Sequence, residues 1–168
     1  MVDGNELMST RQNHSEKVLA EITCSPYNGR DIDVLVGGLG FGFTLESVLE
    51  RVTPGSRVVV AELMDCIVKW NRNKELPLAH QHLADPRVRL VPGDVVKLLK
   101  TKDGSYDVII MDIDNGPEAF TTESNNVLYS AAGLNMMLRA LKKGGTLGIW
   151  SASPNEKFAR DMKKTGFQ

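Results

Sequence analysis

Apolar residues in this chain come in short runs separated by stretches of helical periodicity. Five runs, at 32–36, 57–61, 88–91, 107–111 and 146–150, are rich in Val, Ile or Leu and read as continuous rather than alternating. Strands covered on both faces look like that, so a parallel sheet between helix layers is expected. Between the runs, Leu45, Val48, Leu49 and Val52 form one helical stripe, stopped by Pro54-Gly55. Met64, Ile67, Val68 and Asn71 form a second, and Val95, Leu98 and Leu99 a short third that Asp94 is placed to cap. The longest stripe, Val127, Leu128, Ala131, Leu134, Leu138 and Leu141, closes at Lys142-Lys143-Gly144-Gly145. Val18, Leu19 and Ile22 predict a helix before the first strand, and 154–165 predicts one after the last, with Gly166 as its stop. Strand and helix alternate throughout. That order predicts a doubly wound, mostly parallel α/β sheet with helices on both faces. Ligands in such sheets bind beyond the carboxyl ends of the strands.

The predicted strand ends carry the candidate chemistry. The first is followed by Gly37-Gly38-Leu39-Gly40-Phe41-Gly42. Glycine permits a tight turn and close approach of a ligand, and the next helix offers free N–H groups. A dinucleotide fingerprint wants its third glycine at the sixth position, which from Gly38 is Phe43. A phosphate loop wants Gly-Lys-Ser/Thr, and this turn has no lysine. The Gly38, Gly40, Gly42 spacing instead suits a nucleoside whose tail lacks phosphates. Glu62 ends the second strand, about 20 residues past the turn, where an acid can bind ribose hydroxyls. Gly93-Asp94-Val95 follows the third strand, and Asp94 can cap a helix or accept from an adenine amino group. Asp112 ends the fourth strand, and Asp114, Asn115 and Glu118 follow in a long loop of the kind that often forms lids. Asp112, Asp114 and Glu123 have calcium-loop spacing, but the position that needs glycine is Pro117, so no metal site is expected.

Bulk properties narrow the partners. The 168 residues suffice for one domain. The net charge of −1 excludes the bulk basic footprint of a nucleic-acid binder, and Lys142-Lys143 and Lys163-Lys164 read as solvated helix ends. Cys24 and Cys66 are far apart and in no metal-like spacing, the pattern of a reduced, cytoplasmic protein. No apolar stretch is long enough to span a bilayer, and the polar opening lacks the apolar region of a signal peptide. His80 and His82 read as surface loop, and Trp70 and Trp150 as core or rim aromatics.

Taken in order, "VLVGGLGFGFTLESVL", "DPRVRLVPGD" and "YDVIIMDIDNGP" resemble the motif run of class I S-adenosylmethionine-dependent methyltransferases, and more closely that of the spermidine synthase family. "VDGNELMSTRQNHSE" resembles the segment leaving that family's N-terminal hairpin domain, with His14 and Glu16 on its Tyr-His-Glu run and Asn13 in place of the tyrosine. The resemblance implies a class I methyltransferase-like Rossmann fold over 13–168, a hairpin remnant at 1–12, and last strands missing beyond "KKTGFQ". It implies that the turn with Gly38, Gly40 and Gly42 wraps the donor's tail, Glu62 holds ribose, and Asp94 with Val95 holds adenine. Asp112 would take a proton from an attacking amine, with Asp114 assisting. The donor would be S-adenosylmethionine or its decarboxylated form, the acceptor a small molecule such as an amine, and a homodimer fits the family. Two departures bear on the reaction: Phe41 stands where aminopropyltransferases carry an aspartate in the turn, and their Asp-x-x-Asp-Pro loop is shortened. Polyamines need carboxylates in a partly dry pocket. The expectation is therefore an S-adenosylmethionine-dependent transferase, with methyl transfer slightly favoured over aminopropyl transfer. A non-catalytic nucleoside-binding or dimer-forming module is the third reading.

Overall fold

A computed structural model describes residues 14–76, 78–113 and 127–168. The segment 1–12, read above as a hairpin remnant, lies outside the described residues, as does Asp114. The elements in chain order are α1 (His14–Cys24), β1 (Asp33–Gly37), α2 (Phe43–Leu49), β2 (Arg57–Glu62), α3 (Asp65–Arg72), α4 (His80–Leu83), β3 (Val88–Pro92), α5 (Val95–Leu99), β4 (Tyr106–Met111), α6 (Ala131–Ala140), β5 (Leu141–Ile149) and α7 (Glu156–Thr165). The five strands form one parallel sheet in the order β3-β2-β1-β4-β5.

Successive side chains of a strand point to opposite faces, and the core divides accordingly. Val34 and Val36 of β1, with Val108 and Ile110 of β4, pack under α1 and α2, along with Ile67 of α3 and Leu83 of α4. Leu35 of β1, with Ile109 and Met111 of β4, packs under α5 and α6, with Phe158 and Met162 of α7 beside them. β1 and β4 are thus covered twice, which is why their sequences are continuously apolar. β3 is different. It is an edge strand with no fully buried residue, and Arg89 is exposed.

Three local expectations need correction. β5 begins directly after α6, at Leu141, five residues earlier than the apolar run at 146–150 indicates. Tyr106 pairs with Leu141 and Val108 with Thr146, so residues 142–145 bulge out opposite Asp107. The Lys-Lys-Gly-Gly stretch is therefore strand and bulge rather than helix end. Its Lys142 ammonium binds Asp33 at 2.8 Å and Asp107 at 2.7 Å, and Tyr27 Oη donates to the Asp107 carbonyl at 2.9 Å. In α1, Ile22 is 65 % exposed, while Ala20, Thr23 and Cys24 face the sheet. Gly148 of β5 explains the phase, because a Cβ there would strike Thr23. Finally, His80 and His82 stand on a short helix and are half-buried, not in a surface loop.

Candidate functional site

β1 lies at the centre of the sheet, where the chain order reverses between β2 on one side and β4 on the other. That switch point opens a crevice at the carboxyl ends. The glycine turn fills its rim. Gly38, Gly40 and Gly42 have φ of 93°, 51° and 87°, a region that L side chains rarely adopt. Gly38 N–H donates to the Ala61 carbonyl at 2.8 Å, and a Cβ on Gly38 would collide with the Asp112 carbonyl oxygen. A Cβ on Gly42 would collide with Ala79. The turn closes on itself through Gly42 N–H to the Leu39 carbonyl at 2.7 Å, and the Gly42 carbonyl starts α2 by accepting from Glu46 N–H at 2.8 Å. Phe41 and Phe43 meet edge to face, with ring centroids 6.4 Å apart.

The strand-end acids are tied to this turn. Glu62 is 7 % exposed. Its Oε2 accepts from Leu39 N–H at 2.8 Å and its Oε1 from Met64 N–H at 2.7 Å. Each carboxylate oxygen keeps a further lone pair for a ligand. The Glu62 carbonyl accepts from Gly93 N–H at 2.7 Å, which brings the end of β3 alongside. Asp94 follows and caps α5, its Oδ1 accepting from Val96 N–H at 2.8 Å, with Val95 buried beneath. On the other side of β1, Asp112 N–H donates to the Gly37 carbonyl at 2.8 Å. The Asp112 carboxylate accepts from Thr44 Oγ1 at 2.6 Å. Burial pushes its pKa up to about 6; the Thr44 hydrogen bond opposes that shift, and nearby Glu16 adds to it.

Gly38, Gly40, Gly42, Glu62, Asp94, Val95 and Asp112 therefore gather on one rim. Two residues that the sequence reading left unassigned to the site complete it. One is Thr44. The other is Asn71, which is fully buried. Its Nδ2 donates to the Gly40 carbonyl at 2.8 Å and the Ile67 carbonyl at 2.9 Å, and its Oδ1 accepts from Ala79 N–H at 3.1 Å. One side chain thus links the glycine turn, α3 and the segment leading into α4. The only hint in the sequence is a polar residue standing in an apolar stripe. Among the described residues, no group of three or more His, Cys, Asp and Glu could hold a metal ion, and no helix is long and apolar enough to cross a membrane. Two clefts lie away from this rim. One of about 650 Å³ sits at the amino ends of the strands, between Arg57, Arg89, Lys102 and Lys142. The other, of about 390 Å³, lies between Glu21, Asn28 and Arg51.

The family model of the spermine/spermidine synthase domain matches residues 15–165. This chain belongs to that family. Curated relatives include the polyamine aminopropyltransferase of Thermoanaerobacter sp. (strain X514), 32 % identical over 125 residues, covering 72 % of this chain and 41 % of the relative. That of Clostridium perfringens (strain SM101 / Type A) is 31 % identical over 137 residues, covering 79 % and 44 %. The chain thus spans less than half the length of these curated relatives. Among solved structures, the spermidine synthase from Thermotoga maritima superposes with a TM-score of 0.78 at 19 % identity, over 97 % of this chain and 55 % of that one. A spermidine synthase in complex with the transition-state analogue AdoDATO gives a TM-score of 0.78 at 22 % identity, over 94 % and 54 %. At those identities the superpositions show the shared fold. The family membership and the curated relatives overturn the expectation that methyl transfer is the favoured reaction. Phe41 in the turn does not set this chain apart from the family whose model spans residues 15–165.

Proposed function

We propose that this chain carries the donor-binding and proton-accepting part of an aminopropyltransferase acting on decarboxylated S-adenosylmethionine and an amine. The observation that carries the reading is Asp112, a buried carboxylate at the switch point, in a chain whose curated relatives are polyamine aminopropyltransferases. In this reading the backbone at Gly38, Gly40 and Gly42 lies against the donor's aminopropyl tail, its tight turn allowing close approach. Glu62 accepts from ribose hydroxyls with the lone pairs its two backbone donors leave free. Asp94 accepts from the adenine amino group, with Val95 against the base. The sulfonium is already activated, so the protein's part is alignment, exclusion of water and removal of a proton. The amine nitrogen attacks the aminopropyl carbon next to sulfur, the carbon–sulfur bond breaks, and methylthioadenosine leaves with the electron pair. The ammonium proton passes to Asp112, whose pKa of about 6 makes it a stronger base than an ordinary carboxylate while leaving it mostly ionised at pH 7. Asp114, next along the chain but one, is proposed to steer the acceptor.

Calorimetric titration with decarboxylated S-adenosylmethionine, S-adenosylmethionine and methylthioadenosine tests the donor, and mass spectrometry of amines incubated with the donor tests the transfer. Preferential binding of the decarboxylated donor and an aminopropylated amine are expected. A folded protein that binds none of the three nucleosides would refute the reading.

A further inference from the structure

Among the described residues, the Asp112 carboxylate is held at one oxygen. Thr44 Oγ1 donates to Oδ2 at 2.6 Å, and among the described residues Oδ1 takes no hydrogen bond. Thr44 is 3 % exposed and is the second residue of α2, so the helix that the glycine turn launches sets its position. In the first turn of a helix no helical carbonyl lies behind a threonine to take its hydroxyl. The Thr44 hydroxyl reaches a residue 68 positions away, at the end of β4. Its side chain is β-branched and buried, which restricts the positions its hydroxyl can take.

We propose that Thr44 is a positioning residue for Asp112: its hydroxyl takes up Oδ2 and fixes the carboxylate plane, so that Oδ1 alone serves the reacting amine. The inference deepens the aminopropyl-transfer reading above and rests on it for the identity of the amine. The same hydrogen bond stabilises the charged carboxylate against the two influences that protonate it, its burial and Glu16 in the first turn of α1. Without the hydroxyl, both act unopposed. Asp112 would then bind its proton more tightly and be a base at fewer pH values. The hydroxyl therefore aims the carboxylate and keeps it ionised at neutral pH.

Thr44→Val is nearly isosteric and removes the donor; Thr44→Ala is the second hydroxyl-free variant, in case the valine methyl does not fit; Thr44→Ser restores the hydroxyl. The Asp112 carboxyl is followed by carbon NMR through a pH titration of the protein without substrate, and kcat/KM is measured across the same range. A hydrogen bond to a charged group is worth enough to move the midpoint by about one pH unit, a tenfold change in proton affinity. In Thr44→Val the NMR midpoint and the acid limb of kcat/KM should move upward together, and Thr44→Ser should return both. A hydroxyl that only completes local packing would lower kcat equally at every pH and leave the midpoint in place. A wild-type midpoint and acid limb in folded Thr44→Val and Thr44→Ala overturns the proposal. If the wild-type protein transfers no aminopropyl group, the reaction reading fails separately. The NMR midpoints still decide whether Thr44 governs Asp112.

Discussion

Asn71 and Glu62 show how much of this site rests on single side chains with no freedom left. The orientation of the Asn71 amide is fixed by its partners, since two carbonyls face its nitrogen and one N–H faces its oxygen. Removing it strands the buried Ala79 N–H and takes a donor from the half-buried Gly40 carbonyl. Leaving a buried group unpaired costs roughly 1–3 kcal/mol, so Asn71→Ala should lose at least about 1–3 kcal/mol in urea denaturation. It should also weaken donor binding in calorimetry, because the turn loses its tether to α3. Unchanged stability would mean that water replaces the amide. Glu62 permits a sharper test. Both its oxygens accept from backbone N–H groups. Glutamine has the same shape, but its –NH2 cannot accept, so Glu62→Gln must set a donor against either Leu39 or Met64. Stability should fall by about 1–3 kcal/mol, whether or not a ribose is bound. An unaltered denaturation midpoint would show that these backbone contacts are dispensable.

At the scale of elements, the glycine turn and the β5 bulge both use glycine with positive φ, for different reasons. Gly38 has φ of 93° and no room for a Cβ against the Asp112 carbonyl. Gly144, in the bulge, has φ of 78° and nothing within 4 Å of where its Cβ would lie. Gly144→Ala therefore meets backbone strain alone, about 1 kcal/mol, whereas Gly38→Ala adds a collision between β1 and β4 and should cost roughly 3 kcal/mol or more. Equal losses in urea denaturation would contradict this assignment. The contrast also marks what could be read from the chain beforehand. The strands with two covered faces, the stripe of α2, the cap at Asp94 and the strand-end acids depend on neighbours in sequence, and periodicity and spacing reveal them. The bulge depends on Lys142 meeting Asp33, and on Tyr27 meeting the Asp107 carbonyl, partners 109 and 80 positions apart. The phase of α1 depends on Gly148 of a strand more than a hundred positions on. Thr44 depends on Asp112 in the same way. Such residues look ordinary in their own segments, and only the folded sheet supplies the reason for them.

Across the whole molecule, buried and paired carboxylates set the pH dependence of stability in opposite directions. At the amino ends of the strands, the hydrogen bonds of Arg57 and Lys142 outweigh burial and hold the Asp33 carboxyl below its ordinary range. Hydrogen bonds from Arg87 lower Asp85 to about 2. A lowered carboxyl stabilises the fold above its unfolded pKa and loses that contribution as pH falls through the folded value, here between about pH 4 and pH 2. At the carboxyl ends, Asp112 does the reverse. Its pKa is raised from 3.8 to about 6, so the folded state binds the proton more tightly than the unfolded chain does. Its contribution is fully present below pH 4 and is lost as pH rises through 6. Stability should therefore peak on the acid side of neutrality. Asp112→Asn isolates this effect, since its amide oxygen can still accept from Thr44 and carries no charge. The gap between 3.8 and about 6 corresponds to at most about 3 kcal/mol. The variant should gain up to that amount over wild type at pH 8 and gain little at pH 4; under the aminopropyl-transfer proposal it should also lose transfer while still binding donor. Thermal melts of the two proteins across pH 4 to 8 would show parallel curves if Asp112 titrated normally, and curves that diverge through pH 6 if it does not.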